Sequence, residues 1–490
     1  MLTKIYETSL ALLTDLYQLT MAQGYWKSGR SEREAVFHLF FRSNPFQGGY
    51  TIAAGLEYVL EYLKQFQFSV DDIEYLSQLE GNDGQPLFAG EFLTYLSELK
   101  LSCDLDAVPE GTVVFPHEPL VRVTGPILQC QLMETALLNL INFQTLIATK
   151  SARICAATGG DPVLEFGLRR AQGIDGGLAA SRAAYIGGCA ATSNVLAGKL
   201  FKIPVKGTHA HSWVMSFDDE LTAFEEYADA MPNNCVFLVD TYNTLDGVQN
   251  AIQVGLRLRE TGHEMVGIRL DSGDLASLSI EARQLLDAAG LTNVAIVASN
   301  DLDETVIASL KAQGATIAVW GVGTKLVTAY DQPALGGVYK LGAIKNEAGN
   351  WEPKLKLSEQ AIKTSTPGML QVRRFQNETG AVADVIYNEF NAKLDAIVMV
   401  DPLDPTRRRI LEDDLNSVDL LVPVVRSGET VYQHEPLITI RQRVQQQLEL
   451  FHVGVRRQVN PHHYPVGLEQ ELHDLKTERI FRARDSHTLQ

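Results

Sequence analysis

The sequence predicts an α/β protein with two or more domains, and three observations support this prediction. The chain has 490 residues, 45% of them hydrophobic, whereas a single hydrophobic core stops growing at roughly 250 to 300 residues. Between residues 162 and 325, short β-rich runs alternate with longer amphipathic stretches, which is the pattern of parallel βαβ units. Each β-rich run ends in a polar cluster that a purely structural loop does not need.

The regions before and after residues 162–325 lack this regular alternation of β-rich and amphipathic runs. We expect an N-terminal α/β domain over residues 1–130, a central domain over 131–345 and a C-terminal segment over 346–490. The elements predicted outside the central domain are a helix at Thr14–Ala22, strands at Phe37–Phe41 and Thr112–Pro126, a basic loop at Lys354–Gly368, strands within Asp384–Pro402, and a helix from Arg441 followed by a frayed tail.

The central region contains six predicted strands with amphipathic helices between them. The repeat of roughly 30 residues per unit is typical of helix-linked parallel strands. The predicted strands are Val163–Phe166, Ile203–Lys206, Val236–Val239, Met265–Leu270, Val294–Ala298 and Ile317–Trp320. The predicted helices include Leu221–Met231, Leu245–Thr261, Leu275–Ala289 and Glu304–Gln313. Periodicity fits a barrel and a doubly wound sheet equally well, but the polar clusters after the strands favour a (β/α) barrel, whose active site forms at those strand ends.

Charge and cysteine usage exclude several kinds of partner. The chain carries 42 Lys and Arg against 60 Asp and Glu, a formal charge of −18, so it repels nucleic acid, although a small phosphorylated ligand needs only a local basic pocket. The five cysteines are spread singly, as in a reducing cytosol. No signal peptide and no run of 18 apolar residues is found. We expect a cytoplasmic protein without a membrane partner.

Two of the strand-end clusters are suited to a sugar phosphate. In RLDSGDL, Arg269 can bind phosphate through its forked guanidinium, and the carboxylates that follow can hold sugar hydroxyls or Mg²⁺. The alternative is a turn that caps the next helix. In GVGT, Gly321, Gly323 and Thr324 can close around an anion, although short glycine turns are common.

Histidine and aromatic residues occur in two further clusters. His209 and His211 lie two residues apart, and with no third ligand nearby a nucleophile or a general acid or base is favoured over a metal ligand. A hydrogen-bonded loop histidine is the alternative. Phe166 next to Arg169 suits a flat, anionic heteroaromatic ligand, unless the arginines simply lie on the surface.

Nine motifs, taken together and in order, resemble the nicotinate phosphoribosyltransferase family of type II phosphoribosyltransferases. They are TDLYQLTM, FRSNPFQGGY, NFQTLIATK, EFGLRRAQGIDGG, TSNVLAG, KGTHAHSW, VDTYNT, IRLDSGDL and WGVGT. The resemblance implies transfer of 5-phosphoribosyl from phosphoribosyl pyrophosphate to nicotinate, with Mg²⁺ and ATP consumption. It also implies an irregular (β/α) barrel joined to an α/β domain made from the N- and C-terminal segments, and a homodimer with its active sites at the interface.

The resemblance also implies roles for individual residues. His211 matches the histidine that ATP phosphorylates transiently, whereas His209 does not match it. Arg269 and Asp271 are implied to act in catalysis with His211, and no residue is assigned as a metal ligand. The implied substrate-binding residues are Tyr17 from the partner subunit, Phe166, Arg169, Ser193, Asn194, Asp240, Gly321, Gly323 and Thr324.

Two alternatives to this function stay open. A nicotinamide-preferring relative would carry an Asp where this chain has Ser193 and Asn194, and an Asp repels a carboxylate, so nicotinate is favoured. A non-catalytic barrel that binds a sugar phosphate would need a broken site, whereas each motif position keeps a chemically competent residue.

Overall fold

The structure, a computed structural model, describes residues 6, 8–360, 363–390, 397–412 and 415–488. The N-terminal elements are α1 (Leu16–Lys27), β1 (Glu34–Phe41), β2 (Thr51–Ile52), α2 (Leu56–Lys64), α3 (Val70–Ser77), α4 (Gly90–Glu98), β3 (Asp104–Ala107), β4 (Val113–Val114), β5 (Val121–Pro126) and α5 (Ile127–Leu132). A 3-10 turn, Pro45–Gln47, lies between β1 and β2.

The central elements begin with a long helix and then alternate. They are α6 (Glu134–Ala157), β6 (Val163–Glu165), a 3-10 turn (Leu168–Arg170), α7 (Gly173–Gly187), β7 (Ala191–Thr192), α8 (Val195–Phe201), α9 (His211–Val214), α10 (Glu220–Ala230), β8 (Val236–Leu238), α11 (Thr244–Glu260), β9 (Gly267–Leu270), α12 (Leu275–Ala288), β10 (Ala295–Ala298), α13 (Glu304–Ala312), β11 (Val319–Val322) and α14 (Thr324–Val327).

The C-terminal elements are mostly strands. They are β12 (Gly337–Lys345), β13 (Trp351–Pro353), β14 (Leu370–Asn377), β15 (Gly380–Asn388), β16 (Val398–Val400), β17 (Arg408–Ile410), β18 (Asn416–Asp419), β19 (Val422–Arg426), β20 (Glu429–Thr430), α15 (Leu437–Glu449), β21 (Val466–Glu469) and α16 (Gln470–Thr488). The final helix covers most of the tail that was predicted to fray. Residues 391–396, inside the predicted strand region, lie outside the described residues.

The chain divides into two compact units, Met1–Leu146 with Ala334–Gln490, and Ile147–Pro333. The first unit has an antiparallel sheet of order β13-β12-β1-β5-β3-β19-β20 and a second sheet of order β17-β16-β21-β15-β14-β18. Arg374 is buried within it, where its guanidinium binds Asp384 and packs on Phe115 and Phe451. Full pairing satisfies this buried charge.

The second unit contains a parallel sheet of order β7-β6-β11-β10-β9-β8. Its strands are short, and their residues are largely apolar and buried, as expected for a parallel sheet whose faces are covered by helices. The predicted strand Ile203–Lys206 is wrong in extent, since only Val205 pairs, through an isolated bridge to Thr192. The short strand β7 was not predicted. Its two residues carry too little periodicity to be recognised.

The helices of the second unit begin at side chains that follow the strands. Asn243, Asp274 and Asp303 accept hydrogen bonds from amides in the first turns of α11, α12 and α13. These caps fix where each loop ends and its helix begins. Among the described residues, no helix is both long enough and apolar enough to cross a membrane.

Candidate functional site

The carboxyl ends of the parallel strands bring together a network centred on Arg269, in β9. Its guanidinium donates to Oγ of Ser299 at 2.8 Å, to Oγ1 of Thr208 at 2.8 Å and to Oδ1 of Asp271 at 3.1 Å. Thr208 follows the Val205 bridge, Asp271 follows β9 and Ser299 follows β10. They meet because parallel strands end at the same edge of the sheet. A guanidinium with this many partners is held in one orientation.

Asp271 is held as a charged acceptor within this network. Burial raises its pKa, but hydrogen bonds from Ser299 and Arg269, with the charges of Arg269 and His211, lower the pKa below its ordinary value. Asp274, the second carboxylate of the same motif, instead caps α12 through the amides of Ala276 and Ser277. The capping alternative for RLDSGDL therefore holds for Asp274, whereas Asp271 lies in the Arg269 network.

His211 begins the short helix α9 and reaches the same edge. Its Nε2 lies 3.8 Å from Oδ2 of Asp271, and its Nδ1 lies 3.1 Å from Oγ1 of Thr241. The side chain is 40% exposed. A histidine that is both oriented and reachable from solvent suits a nucleophile or a proton carrier.

His209, in contrast, lies in the protein interior, where it has a structural role. It is buried, its Nε2 accepts a hydrogen bond from the amide of Leu238 at 3.2 Å, and its ring packs beside Tyr227 and Phe237. Burial, together with the charges of Arg269 and His211, lowers its pKa to about 4, although the hydrogen bond to the Ala210 carbonyl opposes this shift. His209 is thus the hydrogen-bonded loop histidine of the two.

This arrangement predicts a pH dependence of stability. A histidine titrates near pH 6.5 when unfolded but near 4 here, so the unfolded state binds more protons in that window. Stability is then lost as the pH falls from 6.5 towards 4, by about 2 kcal/mol at pH 5 for this one group. Urea unfolding of wild type and His209→Gln at pH 7 and pH 5 measures the difference. The glutamine oxygen can still accept from Leu238, so the variant should lose less stability on acidification.

The matched control is His263→Gln, because this residue lies at the amino end of β9 and its ring contacts Asn233 at 2.9 Å. It should keep the wild-type dependence on pH. If wild type and His209→Gln lose the same stability between pH 7 and pH 5, the pH dependence does not come from His209.

Asp240 follows β8 and supports the loop after β9. Its Oδ2 accepts from the amide of Asp271 at 2.9 Å and from Oγ of Ser272 at 2.6 Å. Its Oδ1 is buried and makes no hydrogen bond to the described residues. A buried carboxylate oxygen without a partner is costly, which marks it as a place for a ligand hydroxyl or a cation.

Phe166, Gly321 and Gly323 lie together at the ends of β6 and β11. A Cβ on Gly321 would fall 2.7 Å from Cδ2 of the Phe166 ring, and one on Gly323 would fall 3.2 Å from the Phe166 carbonyl. The Arg269 guanidinium lies 5.9 Å from the centre of the same ring. Glycine at 321 is therefore required for the position of the Phe166 ring, and Thr324 begins α14 directly after the turn.

Gly321→Ala is expected to displace the Phe166 ring, since its new methyl group would overlap the ring. We expect the KM for the flat heteroaromatic ligand that the sequence analysis predicts at Phe166 to rise about tenfold, a loss comparable with one aromatic contact. Steady-state kinetics measure this value. Gly24→Ala in α1 is the control, because a Cβ there meets nothing within 4 Å; an unchanged KM in Gly321→Ala would contradict the prediction.

The remaining predicted site residues are Arg169, Ser193, Asn194 and Tyr17. Arg169 is exposed in the turn Leu168–Arg170, and Ser193 is half-buried after β7. Asn194 is buried, caps α8 through Ala197 and donates to Oγ of Ser181 at 3.2 Å, so its side chain is occupied within the protein. Tyr17 lies in α1 of the first unit with 49% exposure.

Several supporting residues were missed by the sequence reasoning. Thr208, Thr241 and Ser299 hold Arg269 or His211, and Glu165 accepts hydrogen bonds beside Phe166. The hydroxyl residues lie in or beside the polar strand-end clusters, which was an available signal. For Glu165 the signal was a charged residue inside an apolar strand. Within the described ranges, no group of three or more His, Cys, Asp or Glu side chains could hold a metal ion.

The fold and site define an α/β protein with a charged, hydroxyl-rich site at the ends of parallel strands. Sequence profiles of the nicotinate phosphoribosyltransferase family match residues 163–387, those of its N-terminal domain residues 12–142, and those of its C-terminal domain residues 371–476. A nicotinate phosphoribosyltransferase of Bacillus subtilis (strain 168) is 45% identical over 485 residues, covering 98% of this chain and 96% of that protein.

A human sequence and a human crystal structure of the same family are also similar to this chain. The human nicotinate phosphoribosyltransferase is 39% identical over 426 residues, covering 76% of this chain and 78% of that protein. The crystal structure of human nicotinic acid phosphoribosyltransferase superposes with a TM-score of 0.83 at 33% identity, covering 95% of this chain and 99% of that one. This chain belongs to the nicotinate phosphoribosyltransferase family.

Proposed function

We propose that the protein transfers 5-phosphoribosyl from phosphoribosyl pyrophosphate to nicotinate, giving nicotinate mononucleotide and pyrophosphate. The observation that carries this proposal is the network in which Arg269, Asp271 and His211 meet at one edge of the sheet. Breaking the bond from C1 to pyrophosphate creates positive charge on ribose, so carboxylates facing the sugar and cations facing the phosphates stabilise the transition state.

The base would be held by Phe166 and Arg169. The ring offers a flat apolar face, and a guanidinium beside it favours a carboxylate over an uncharged amide. Ser193 would bind the same ligand, while the Asn194 side chain supports the segment by capping α8. We further propose that Tyr17 of a partner subunit completes the pocket in a homodimer, and its 49% exposure in this chain is compatible with that role.

The phosphates would be held by Arg269 and by Gly321, Gly323 and Thr324. In the first unit, taken by itself, Lys340 is a separate candidate for binding a phosphate group. Burial lowers its pKa, and the charges of Lys356 and Arg42 lower it further although Glu134 opposes them. A group of cations that repel one another is stabilised by a bound anion.

Mg²⁺ fits the residues present. Asp240 offers a buried carboxylate oxygen without a partner, and Asp271 is charged, which suits an ion that typically binds one or two carboxylates together with substrate phosphates. A bound Mg²⁺ would supply positive charge for the leaving pyrophosphate. Asp240 also keeps the loop after β9 in place through Ser272 and the Asp271 amide.

ATP would act through His211. A ring nitrogen attacks the γ-phosphorus, the bond to the bridging oxygen breaks, and ADP leaves; hydrolysis of the phosphoimidazole then returns phosphate and the free ring. Thr241 and Asp271 orient the imidazole from its two nitrogens. The exposed fraction of the ring gives a nucleotide access to it.

We also propose that the parallel sheet is an irregular (β/α) barrel. The strand order runs cyclically along the chain from the Val205 bridge through β7, β6, β11, β10 and β9 to β8. The seam falls between Val205 and β8, where His209 accepts from Leu238. The barrel domain would extend over residues 131–345, between segments 1–130 and 346–490.

The five cysteines form no disulfide, which supports a cytoplasmic location.

The test is pyrophosphate release from the purified chain with each substrate left out in turn. We expect release only when nicotinate and phosphoribosyl pyrophosphate are both present, and stimulation by ATP. Faster release with nicotinamide would favour the nicotinamide-preferring alternative. Tight binding of phosphoribosyl pyrophosphate in a calorimetric titration without any release would favour a non-catalytic barrel.

A further inference from the structure

Glu165, the last residue of β6, is buried with 1% exposure. Its Oε1 accepts a hydrogen bond from the amide of Gly167. Its Oε2 accepts from Oγ of Ser181 at 2.8 Å and from Oγ1 of Thr192 at 2.6 Å. These donors satisfy a carboxylate that would be costly to bury alone. They belong to three different segments, namely the turn after β6, helix α7 and strand β7.

The first donor, Gly167, opens the turn that carries the base-binding side chains. Phe166 precedes it, and Arg169 lies in the 3-10 turn that follows. On its other side the turn is tightly packed, because a Cβ on Gly167 would lie 2.3 Å from Cγ1 of Val327 and 2.9 Å from the Gly323 carbonyl. The turn is therefore fixed between the Glu165 carboxylate and the segment that begins α14.

The other donors connect Glu165 to the segment that contains Ser193. Thr192 accepts a hydrogen bond from the amide of Asn194 at 3.0 Å, so its own hydroxyl proton is directed to Glu165. Ser181 accepts from the Asn194 side chain at 3.2 Å. One carboxylate thus sets the spacing between the turn bearing Phe166 and the segment bearing Ser193.

We propose that Glu165 is a positioning residue for the pyridine base, which acts by fixing the two sides of the base pocket without touching the ligand. This inference rests on the proposed function. Because Glu165 accepts hydrogen bonds from Gly167, Ser181 and Thr192 rather than from the Arg269 network, its loss should weaken binding of the base and leave the handling of the sugar phosphate largely intact.

The test compares wild type, Glu165→Ala, Glu165→Gln and Thr192→Val by steady-state kinetics and by calorimetric titration of nicotinate. Glu165→Ala should raise the KM for nicotinate roughly tenfold, as expected for lost hydrogen bonds to a pocket wall, with kcat and the KM for phosphoribosyl pyrophosphate changed less than about threefold. Glu165→Gln should restore most of the affinity, because its amide oxygen can accept from Gly167 and the two hydroxyls can rotate. Thr192→Val removes a single donor and tests the same link should Glu165→Ala fail to fold.

The control is Glu304→Gln, which alters another buried carboxylate of the same unit, paired with Lys150 at 2.7 Å and Arg153 at 3.0 Å. It should lower the melting temperature without changing the KM for nicotinate. Equal losses for both substrates in Glu165→Ala, or an unchanged KM for nicotinate in both Glu165→Ala and Thr192→Val, would overturn the inference. Wild-type protein without turnover would instead overturn the proposed function, and the nicotinate titration would still report on Glu165.

Discussion

His211→Ala is expected to abolish the stimulation of turnover by ATP. The substitution removes the imidazole whose Nδ1 faces Thr241 and whose Nε2 faces Asp271. Loss of a nucleophile or proton carrier typically costs 10² to 10⁴-fold in rate, so we expect a decrease of about 100-fold or more. ADP formation and pyrophosphate release should be measured in the same reactions. The Asp271 and Thr241 side chains remain, so the fold should survive.

His263→Ala is the matched control, since it lies at the opposite end of β9 and contacts Asn233. It should retain the full response to ATP. If His211→Ala still forms ADP in step with nicotinate mononucleotide, the phosphorylated residue is a different one.

Asp271→Asn is expected to reduce kcat/KM for phosphoribosyl pyrophosphate by about 10² to 10³-fold, the range for removing one preorganised charged group from a transition state. The amide is nearly isosteric, but it removes the negative charge that faces Arg269 and His211. The pKa of Asp271 is lowered below its ordinary value, with burial opposing the hydrogen bonds of Ser299 and Arg269. The wild-type carboxylate is therefore charged throughout the neutral range.

The comparison variant is Asp287→Asn, which breaks a surface ion pair with Arg283 at 2.8 Å. Such pairs contribute only about 0 to 1 kcal/mol, so its kinetics should match wild type. A decrease of less than about fivefold in Asp271→Asn would argue against a role for this charge in the transition state.

Much of the second unit was predictable because its signals are local. The helices at Leu275–Ala288 and Glu304–Ala312 agree with their predicted bounds to within a residue, since apolar residues recur at helical spacing and an Asp precedes each one. The strand predicted at Ile203–Lys206 is wrong in extent. Its apolar residues allow a strand, but whether a strand forms depends on a neighbour to pair with, and here only Val205 has one.

The separate roles of neighbouring residues were only partly predictable from local pattern. His209 and His211 differ because one ring is packed beside Tyr227 and Phe237 and the other lies at the exposed strand edge. Asp271 and Asp274 differ because only the second is placed to cap α12. For the two histidines, burial and hydrogen-bond partners decide the role, and both come from segments distant along the chain. Asp274 instead caps through the amides of Ala276 and Ser277, two and three residues away.

The sequence by itself determined the alternation of strands and helices, the residue types available at each strand end and the family to which they point, because periodicity and motif order are properties of the chain alone. Only the tertiary structure decided which of those residues meet. Arg269 contacts Thr208 and Ser299, 61 and 30 positions away along the chain, because parallel strands deliver their carboxyl ends to one edge regardless of separation in sequence. The same packing buried Glu165 among donors from three segments, a role that no local pattern encodes.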